Sequence, residues 1–163
     1  MTVSEWVSRM RVRGGVCGDY MRKLDAVVTK AEMFRVLCDV NGGAWVFGLH
    51  ARGVEVPISA FLSEFRNYVN GGEVVRYPSG YTSKFYCRHV GDIEADTTLV
   101  YLLECMDAEV IVPRHHYSTL ILSDGSQAGI TLEEGARLDV ELYGDACINN
   151  ITGDRSKIRV TQH

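Results

Sequence analysis

Two adjacent histidines are the first residues in the sequence whose chemistry could support catalysis or metal binding. His115 and His116 follow Pro113-Arg114, and the carboxyl groups of Asp107 or Asp124 could complete an acid–base or metal site with one of them. Neighbouring residues on a strand point to opposite faces, so both imidazoles would reach one metal ion only from a loop. We therefore favour an exposed polar turn, keep both histidines as candidate binding residues, and predict neither a metal site nor a catalytic residue.

A thiol and an imidazole two residues apart form a second candidate. Cys87 and His89 would share one face of a strand, but a Cys–His nucleophile also needs a third group that orients the histidine. The sequence supplies no recognisable third group. The cysteines are odd in number and widely spaced, without a CxxC pair: Cys17, Cys38, Cys87, Cys105 and Cys147. We expect free thiols, with no disulfide framework, no zinc site and no cofactor.

Acidic side chains are abundant in the second half of the chain. Residues 92–163 carry 5 Lys+Arg against 13 Asp+Glu, whereas residues 1–91 carry 12 against 8. β-Helices that cleave acidic polysaccharides line a groove with acids and bases, yet such a groove also needs Arg or Lys to hold the uronate. With five basic residues available, a solvated outer strand face is favoured for these carboxylates: Asp92, Glu94, Asp96, Glu104, Asp107, Glu109, Glu133, Glu134, Asp139 and Glu141.

Four aromatic residues cluster around Pro78-Ser79-Gly80. They are Tyr77, Tyr81, Phe85 and Tyr86. Tyrosines in a polar loop are typical of carbohydrate-binding and protein-binding surfaces. They are equally typical of a strand packed against a neighbouring element. Both interpretations stay open, and the four residues are candidate binding residues.

The composition and the basic residues limit the classes of partner. The chain has 163 residues, of which 46% are hydrophobic and 23% charged, which excludes a disordered or fibrous protein. No stretch approaches the roughly 18–20 apolar residues of a membrane span, and charges occupy the N-terminus, so we expect no membrane contact and a cytoplasmic location. Aromatic residues are sparse near the basic N-terminus, the acidic half would repel phosphate, and GxxxxGK[ST], GxGxxG and HExxH are absent. These features argue against nucleic acid as a partner and favour self-association or another protein.

The first 91 residues read as a helical arm over 1–20 and a helix and hairpin part over 21–91. Thr2 with Glu5, and Thr29 with Glu32, have the spacing of a capping box, which begins a helix. Glycines in the segments 41–43 and 70–72 are expected to end helices. Residues 44–56 predict a hairpin, and a second helix with an apolar stripe is expected to start after Pro57: Phe61, Leu62, Phe65, Tyr68 and Val69.

Residues 92–163 repeat a unit of a small residue followed by alternating aliphatics. The units begin at residues 98, 108, 118, 128, 136, 146 and 156. Alternation of period two predicts short strands with one buried face. Asn150 interrupts the pattern, with Ile151 able to take its place. The spacing fits a short β-solenoid, in which each unit is one face of a coil, and it also fits an antiparallel meander or sandwich; the small residue at a constant phase favours the solenoid.

One phrase of the sequence carries a resemblance to a known class. The segment Leu142-Tyr143-Gly144-Asp145-Ala146 resembles the Tyr-Gly-Asn-Ala-type units of uncharacterised β-repeat proteins from bacterial prophages and integrative elements. The helical stretch from Met21 to Val69 is similar to the segment that precedes the repeats in such proteins, and Asp145 replaces the usual Asn. The resemblance implies a small accessory protein, intracellular or phage-associated, without a known reaction.

These observations predict an α+β protein with N-terminal helices and a hairpin, followed by an all-β part built on units of about ten residues. The leading hypothesis for function is a non-catalytic structural or protein-interaction protein, an oligomerising accessory factor of a prophage or mobile element. The alternative is a carbohydrate-binding or carbohydrate-modifying β-repeat protein. A nucleic-acid-associated accessory protein, acting through the basic arm, is the third hypothesis.

Overall fold

The chain folds as two compact units, Met1–Asn67 and Tyr68–His163. The computed structural model describes residues 2–12, 18–38, 55–123 and 125–163, and for residues 10–12 it describes the backbone. The charge pattern places a boundary near Gly91, but strands before that residue already belong to the second unit. The predicted hairpin over 44–56 and the glycines at 42 and 43 lie outside the described residues, apart from the last two positions of the hairpin.

The described part of the first unit is helical. It contains α1 (Val3–Val12), α2 (Gly18–Asp25), α3 (Lys30–Leu37) and α4 (Ile58–Glu64). Both predicted capping boxes are present: the backbone N–H and side chain of Thr2 bond with Glu5, and those of Thr29 with Glu32, at 2.8–3.2 Å. Helix α2 was not predicted, and it crosses the boundary expected at residue 20.

Aromatic rings form the core of the first unit. The ring of Phe34 in α3 lies 5.7 Å from that of Phe61 and 5.2 Å from that of Phe65, and all three residues are buried. Helix α4 starts after Pro57 as predicted but ends at Glu64, so the predicted apolar stripe extends beyond the end of the helix. Val69, the last residue of that stripe, forms a bridge with Phe85 inside the second unit.

The described part of the second unit contains ten short strands. They are β1 (Val75–Arg76), β2 (Thr82–Cys87), β3 (Val90–Glu94), β4 (Leu99–Leu103), β5 (Asp107–Val112), β6 (Tyr117–Leu122), β7 (Gln127–Leu132), β8 (Arg137–Leu142), β9 (Cys147–Thr152) and β10 (Ile158–Gln162). The parallel strands from β2 onward form a β-solenoid. A 3₁₀ turn, Arg155–Lys157, precedes β10. All the predicted strands after residue 92 are confirmed.

The strands alternate between two sheets. Sheet A has the order β1-β2-β4-β6-β8-β10, and sheet B has the order β3-β5-β7-β9. Every pair is parallel except β1 with β2. In β6, β8 and β10, Ser118 pairs with Leu138 and Leu138 with Ile158, a constant offset of 20 residues. The solenoid prediction is confirmed, the antiparallel alternative is excluded, and one coil consists of two ten-residue units.

The register explains the one irregular spacing in the repeat. The small residues Ala128 and Ala136 are eight positions apart, against ten elsewhere. Nevertheless Ser118 pairs with Leu138, and Ala128 pairs with Ile148, so the coils at this point keep their length of 20 residues. Ala136 lies just before β8, in a corner of the coil, where it is buried. The small residue has moved from the strand to the corner, while the length of the coil is unchanged.

Aliphatic columns fill the space between the sheets. Val100, Leu120 and Val140 are at most 1% exposed and stack in register across sheet A. Opposite them, Val110 and Ile130 are fully buried in sheet B. Complete burial of one aliphatic side chain stabilises the fold by roughly 1.5–3 kcal/mol, so these columns are the main source of stability of the coils.

A β-bulge interrupts sheet B in its last strand. Ala128 pairs with Ile148, and Ile130 pairs with Ile151, which leaves Asn149 as an extra residue. Ile151 therefore occupies the inward position next to Ile130, as the sequence predicts. The bulge allows two polar asparagines in β9 without breaking the aliphatic column.

Candidate functional site

The structure does not bring the four predicted aromatic residues to one surface. Phe85 and Tyr86 are 1% and 5% exposed and point to opposite faces of β2. The ring of Phe85 stacks on that of Tyr101 at 4.6 Å, and Tyr86 belongs to the core of the solenoid. Tyr81 is half exposed in the preceding turn, and the hydroxyl group of Tyr77 accepts a hydrogen bond from Ser83. Two of the four are therefore packing residues.

The two histidines also have separate, structural environments. His115 adopts φ = 57° in the corner before β6, and its imidazole lies directly over the position that a Cβ of Gly135 would occupy. His116 places Nε2 at 3.2 Å from the carbonyl oxygen of Thr97. The pair holds successive corners of the solenoid in place, which is the turn role that the sequence analysis favours. It forms no shared site.

The thiol of Cys87 is not prepared for nucleophilic attack. Burial raises the pKa of Cys87 to about 12, so the thiol stays protonated at neutral pH. The neighbouring Arg88 is engaged by the carboxylate of Glu104, with Nε and Oε2 2.6 Å apart. Among residues 2–12, 18–38, 55–123 and 125–163, no three His, Cys, Asp or Glu side chains come together as a metal site.

A groove that the sequence analysis missed lies on the outer face of sheet A. Its volume is about 630 Å³. It crosses β6, β8 and the entry to β10, and its lining is Tyr117, Arg137, Asp139, Ser156, Lys157, Ile158 and Arg159. We call it the sheet A groove. On β4 and at the far end of β6 the same outer face is apolar and buried, at Tyr101 and Ile121, so the groove marks a change in the character of this face.

The coil length of 20 residues places these side chains in two columns. Tyr117 pairs with Arg137, and Lys157 follows Arg137 by one coil. In the next column, Asp139 pairs with Arg159. Neighbouring strands lie about 4.8 Å apart, and Lys157 ends the 3₁₀ turn that leads into β10 and lines the same groove, so Tyr117, Arg137 and Lys157 are within reach of one ligand.

Hydrogen bonds fix the centre of the sheet A groove. Asp139 Oδ2 accepts from Tyr117 Oη at 2.6 Å and from Arg159 Nη2 at 2.7 Å. The hydrogen bond to Asp139 raises the pKa of Tyr117, because the carboxylate stabilises the protonated phenol. One carboxylate thus orients both the aromatic ring and one guanidinium group.

Two cations of the groove form no salt bridge within the described part of the chain. Arg137 and Lys157 are exposed and form no ion pair there, whereas Arg114 at a corner binds Glu134 and Arg159 binds Asp139. Three of the five basic residues in 92–163 line this groove. A sequence search at a spacing of 20 would have aligned Arg137 with Lys157, but the ten-residue unit conceals that alignment.

The end of the solenoid is a second exposed feature. β10 is the last strand of sheet A, and no strand of the described chain pairs with its far edge. Val160 continues the inward column of Val140, yet it is 46% exposed, against 1% for Val140. An aliphatic core position and a strand edge are therefore both open to solvent.

Comparisons with protein-family models, with curated proteins and with solved structures found no match. The resemblance to prophage β-repeat proteins stays a prediction. In the phrase that carries it, Gly144 adopts φ = 63° and Asp145 Oδ1 accepts a hydrogen bond from the backbone of Gly125 at 2.9 Å, which ties two corners together. No helix within the described ranges is long and apolar enough to cross a bilayer.

Proposed function

We propose that the protein is a non-catalytic interaction protein that associates with a second copy of itself through the end of its solenoid. The observation that carries this proposal is the open edge of β10, where Val160 is 46% exposed at a position that is buried in the preceding coil. The structural use of His115, His116 and Cys87 supports a non-catalytic role, because the side chains with the best catalytic chemistry are used in corners and core.

The edges of the two sheets differ in whether a covering segment or a bulge hinders pairing with another strand. At the first edge, β1 pairs with part of β2, and Asn70 bonds to both backbone groups of Cys87, with N–O distances of 2.8 and 3.1 Å. At the last edge of sheet B, the bulge at Asn149 disturbs the ladder, a device that discourages edge pairing. β10 has neither a covering segment in the described chain nor a bulge, and it keeps a regular register with β8. It is therefore the edge best suited to pairing.

A two-fold axis at Val160 gives a compatible antiparallel pair. Val160 then lies opposite its own copy, and Arg159 lies opposite Thr161 of the other copy, so no like charges face each other. Complete burial of a Val side chain contributes about 1.5–3 kcal/mol, so covering its exposed half contributes about 0.7–1.5 kcal/mol in each copy. Backbone hydrogen bonds along the edge and burial of the last core layer add to this.

The substitution Val160→Pro tests the proposal. His163 N donates to Leu142 O, and N–H direction alternates along a strand, so the N–H of Val160 points to the free edge. Proline therefore removes an edge donor without breaking the ladder to β8, and edge positions of this kind tolerate it. Val160→Ile keeps the donor and the apolar surface and is the matched control.

The measurement is sedimentation equilibrium over a dilution series. We expect the wild type and Val160→Ile to be dimeric at about 0.1 mM and to dissociate on dilution, and Val160→Pro to be monomeric throughout. A wild type that is monomeric at the highest concentration contradicts the proposal. So does a Val160→Pro protein that dimerises as tightly as the control.

The accessory role in a prophage or mobile element and the cytoplasmic location remain part of the proposal. They rest on the Leu142-Tyr143-Gly144-Asp145-Ala146 phrase and on the composition of the chain. Binding of carbohydrate is the second candidate function. It is favoured by a specific observation: the sheet A groove holds an exposed aromatic ring beside two cations that form no salt bridge with the described residues.

A further inference from the structure

The sheet A groove combines three kinds of binding group on one rigid surface. Tyr117 is 54% exposed and presents an aromatic face, Arg137 and Lys157 present positive charge, and Asp139 presents a carboxylate. Tyr117, Arg137 and Asp139 stand on strands whose inward neighbours are packed in the core, which fixes their spacing.

The charges select the ligand. Arg137 at the start of β8 and Lys157 at the end of the 3₁₀ turn line the same groove and form no salt bridge among the described residues, so an anionic group placed between them would gain two charge-assisted contacts. Asp139 already accepts two hydrogen bonds, yet a carboxylate has about four acceptor positions and can take one more from a hydroxyl group. The site therefore offers cations for an anion and an acceptor for a neighbouring hydroxyl.

The aromatic ring adds a flat apolar platform beside those groups. The hydrogen bond from Tyr117 Oη to Asp139 holds the ring in one orientation, so little conformational freedom is lost when a ligand stacks on it. A ligand that fits has a flat apolar face, hydroxyl groups and a negative charge close together. A sugar ring that carries an anionic group has all three.

We propose that the sheet A groove binds an acidic carbohydrate, with the anionic group between Arg137 and Lys157 and the sugar ring against Tyr117. A nucleic acid strand also has anionic groups and flat rings, but it extends its phosphates along the surface. The second half of the chain is strongly acidic, with 5 Lys+Arg against 13 Asp+Glu, and Glu141 follows Asp139 on the same outer face. The hydroxyl groups of a sugar ring can donate to the remaining acceptor positions of Asp139, whereas a DNA strand has no free hydroxyl group along its length, so the groove suits an acidic carbohydrate better.

The site is distinct from the proposed dimer contact. The groove lies on the outer face of sheet A, whereas pairing of β10 uses its free backbone edge and the inward Val160. Failure of one proposal therefore leaves the other standing. Both can be measured on the same 163-residue protein.

Isothermal titration calorimetry with defined oligosaccharides tests the assignment. The probes are a galacturonate hexasaccharide, a sulfated heparin hexasaccharide, the neutral maltohexaose, and a thymidine hexanucleotide. We expect at least one acidic oligosaccharide to bind at least tenfold more tightly than maltohexaose and the hexanucleotide, with an affinity that falls as salt is added. Carboxylate and sulfate both support the proposal, and the tighter of the two identifies the preferred anion.

Substitutions locate the site. Arg137→Gln and Lys157→Gln should each weaken binding about tenfold or more, because each removes a charge-assisted contact. Tyr117→Ala should weaken it several-fold, and Tyr117→Phe, which keeps the ring, should weaken it less. Arg114→Gln is the matched control, since Arg114 is also an exposed arginine of the second unit and lies at a corner outside the groove.

Three outcomes would overturn the proposal. The first is the absence of binding to either acidic oligosaccharide at millimolar concentration. The second is a loss of affinity in Arg114→Gln equal to that in Arg137→Gln, which would indicate general charge attraction. The third is tighter binding of the hexanucleotide than of both acidic sugars, which would assign the groove to nucleic acid.

Discussion

The contact between His115 and Gly135 allows a quantitative test of how neighbouring corners of the solenoid support each other. Gly135 has φ = 73°, and a Cβ at this position would meet the imidazole of His115 from the coil before. Gly125 has nearly the same backbone, φ = 75°, but a Cβ there would have nothing within 4 Å. Substitution of each glycine by alanine therefore separates the cost of the backbone from the cost of the contact.

The expected magnitudes follow from this difference. An L-residue in the left-handed region costs about 1–2 kcal/mol, and this cost applies to Gly125→Ala and Gly135→Ala alike. The exposed imidazole of His115 can move aside, at about 0.5–1.5 kcal/mol for a distorted rotamer. We therefore expect Gly135→Ala to lower the free energy of unfolding by about 1.5–3.5 kcal/mol and Gly125→Ala by about 1–2 kcal/mol.

Urea unfolding followed by circular dichroism measures both values, provided that the dependence on urea concentration is the same in each variant. A double-mutant cycle supplies the decisive comparison: in a His115→Ala background, Gly135→Ala should cost no more than Gly125→Ala. Equal costs of the two single glycine substitutions would refute the reasoning. An excess cost for Gly135→Ala that persists without the imidazole would refute it as well.

Two further predictions concern the cysteines and the first edge of sheet A. In a Cys17→Ser protein at neutral pH, maleimide should modify Cys147 well before Cys87, because Cys87 is 2% exposed and burial raises its pKa to about 12. Mass spectrometry of the labelled peptides measures the order of modification. Simultaneous labelling of the two thiols would contradict the prediction. Asn70→Ala should lower the free energy of unfolding by about 2–3 kcal/mol, since it removes two hydrogen bonds to the backbone of Cys87. Asn70→Asp keeps the acceptor oxygen and should lower the free energy of unfolding by less in the same urea assay.

The later coils of the solenoid were predictable because their packing is periodic. Positions such as Val100, Leu120 and Val140 must be aliphatic to fill the space between the sheets, and the alternation of period two follows from the geometry of a strand. Ile151 could be foreseen as the replacement for Asn150 for the same reason. Capping at Thr29 was predictable because it depends only on residues three positions apart.

The first coil was harder to predict because its side chains do not follow the aliphatic rule. β2 places Lys84 in the inward column that continues as Val100, and the charge is satisfied by Asp96 at 2.5 Å. Phe85, on the opposite face, is buried against Tyr101 rather than solvated. The pattern of period two therefore loses its polar face there, so it does not reveal β2, and the boundary near Gly91 rests on the charge pattern alone.

The sheet A groove was missed for a different physical reason. Outward side chains are not constrained by coil packing, so no local pattern marks them. Tyr117, Arg137 and Lys157 become neighbours only through the register between coils, at separations of 20 residues. A search for adjacent or alternating residues found His115 and His116 instead, which the register places in separate contacts.

The two proposals together predict that dimerisation strengthens binding of long ligands. A two-fold axis through Val160 and perpendicular to sheet A keeps the outer faces of both copies on the same side, so two grooves form one surface that continues across the paired β10 strands. A long acidic polysaccharide can then occupy both grooves, and the second binding event becomes intramolecular, which raises the overall affinity by about 10²–10⁴-fold when the geometry allows it.

Val160→Pro should therefore weaken binding of a long galacturonate chain by at least tenfold relative to the Val160→Ile control. The affinity for the hexasaccharide, which occupies the groove of one copy only, should stay within about twofold of that control. Surface-bound polysaccharide and calorimetry with the hexasaccharide measure the two affinities. Equal losses for the long and the short ligand would show that the substitution damages the groove itself, because avidity acts only on a ligand long enough to reach both sites.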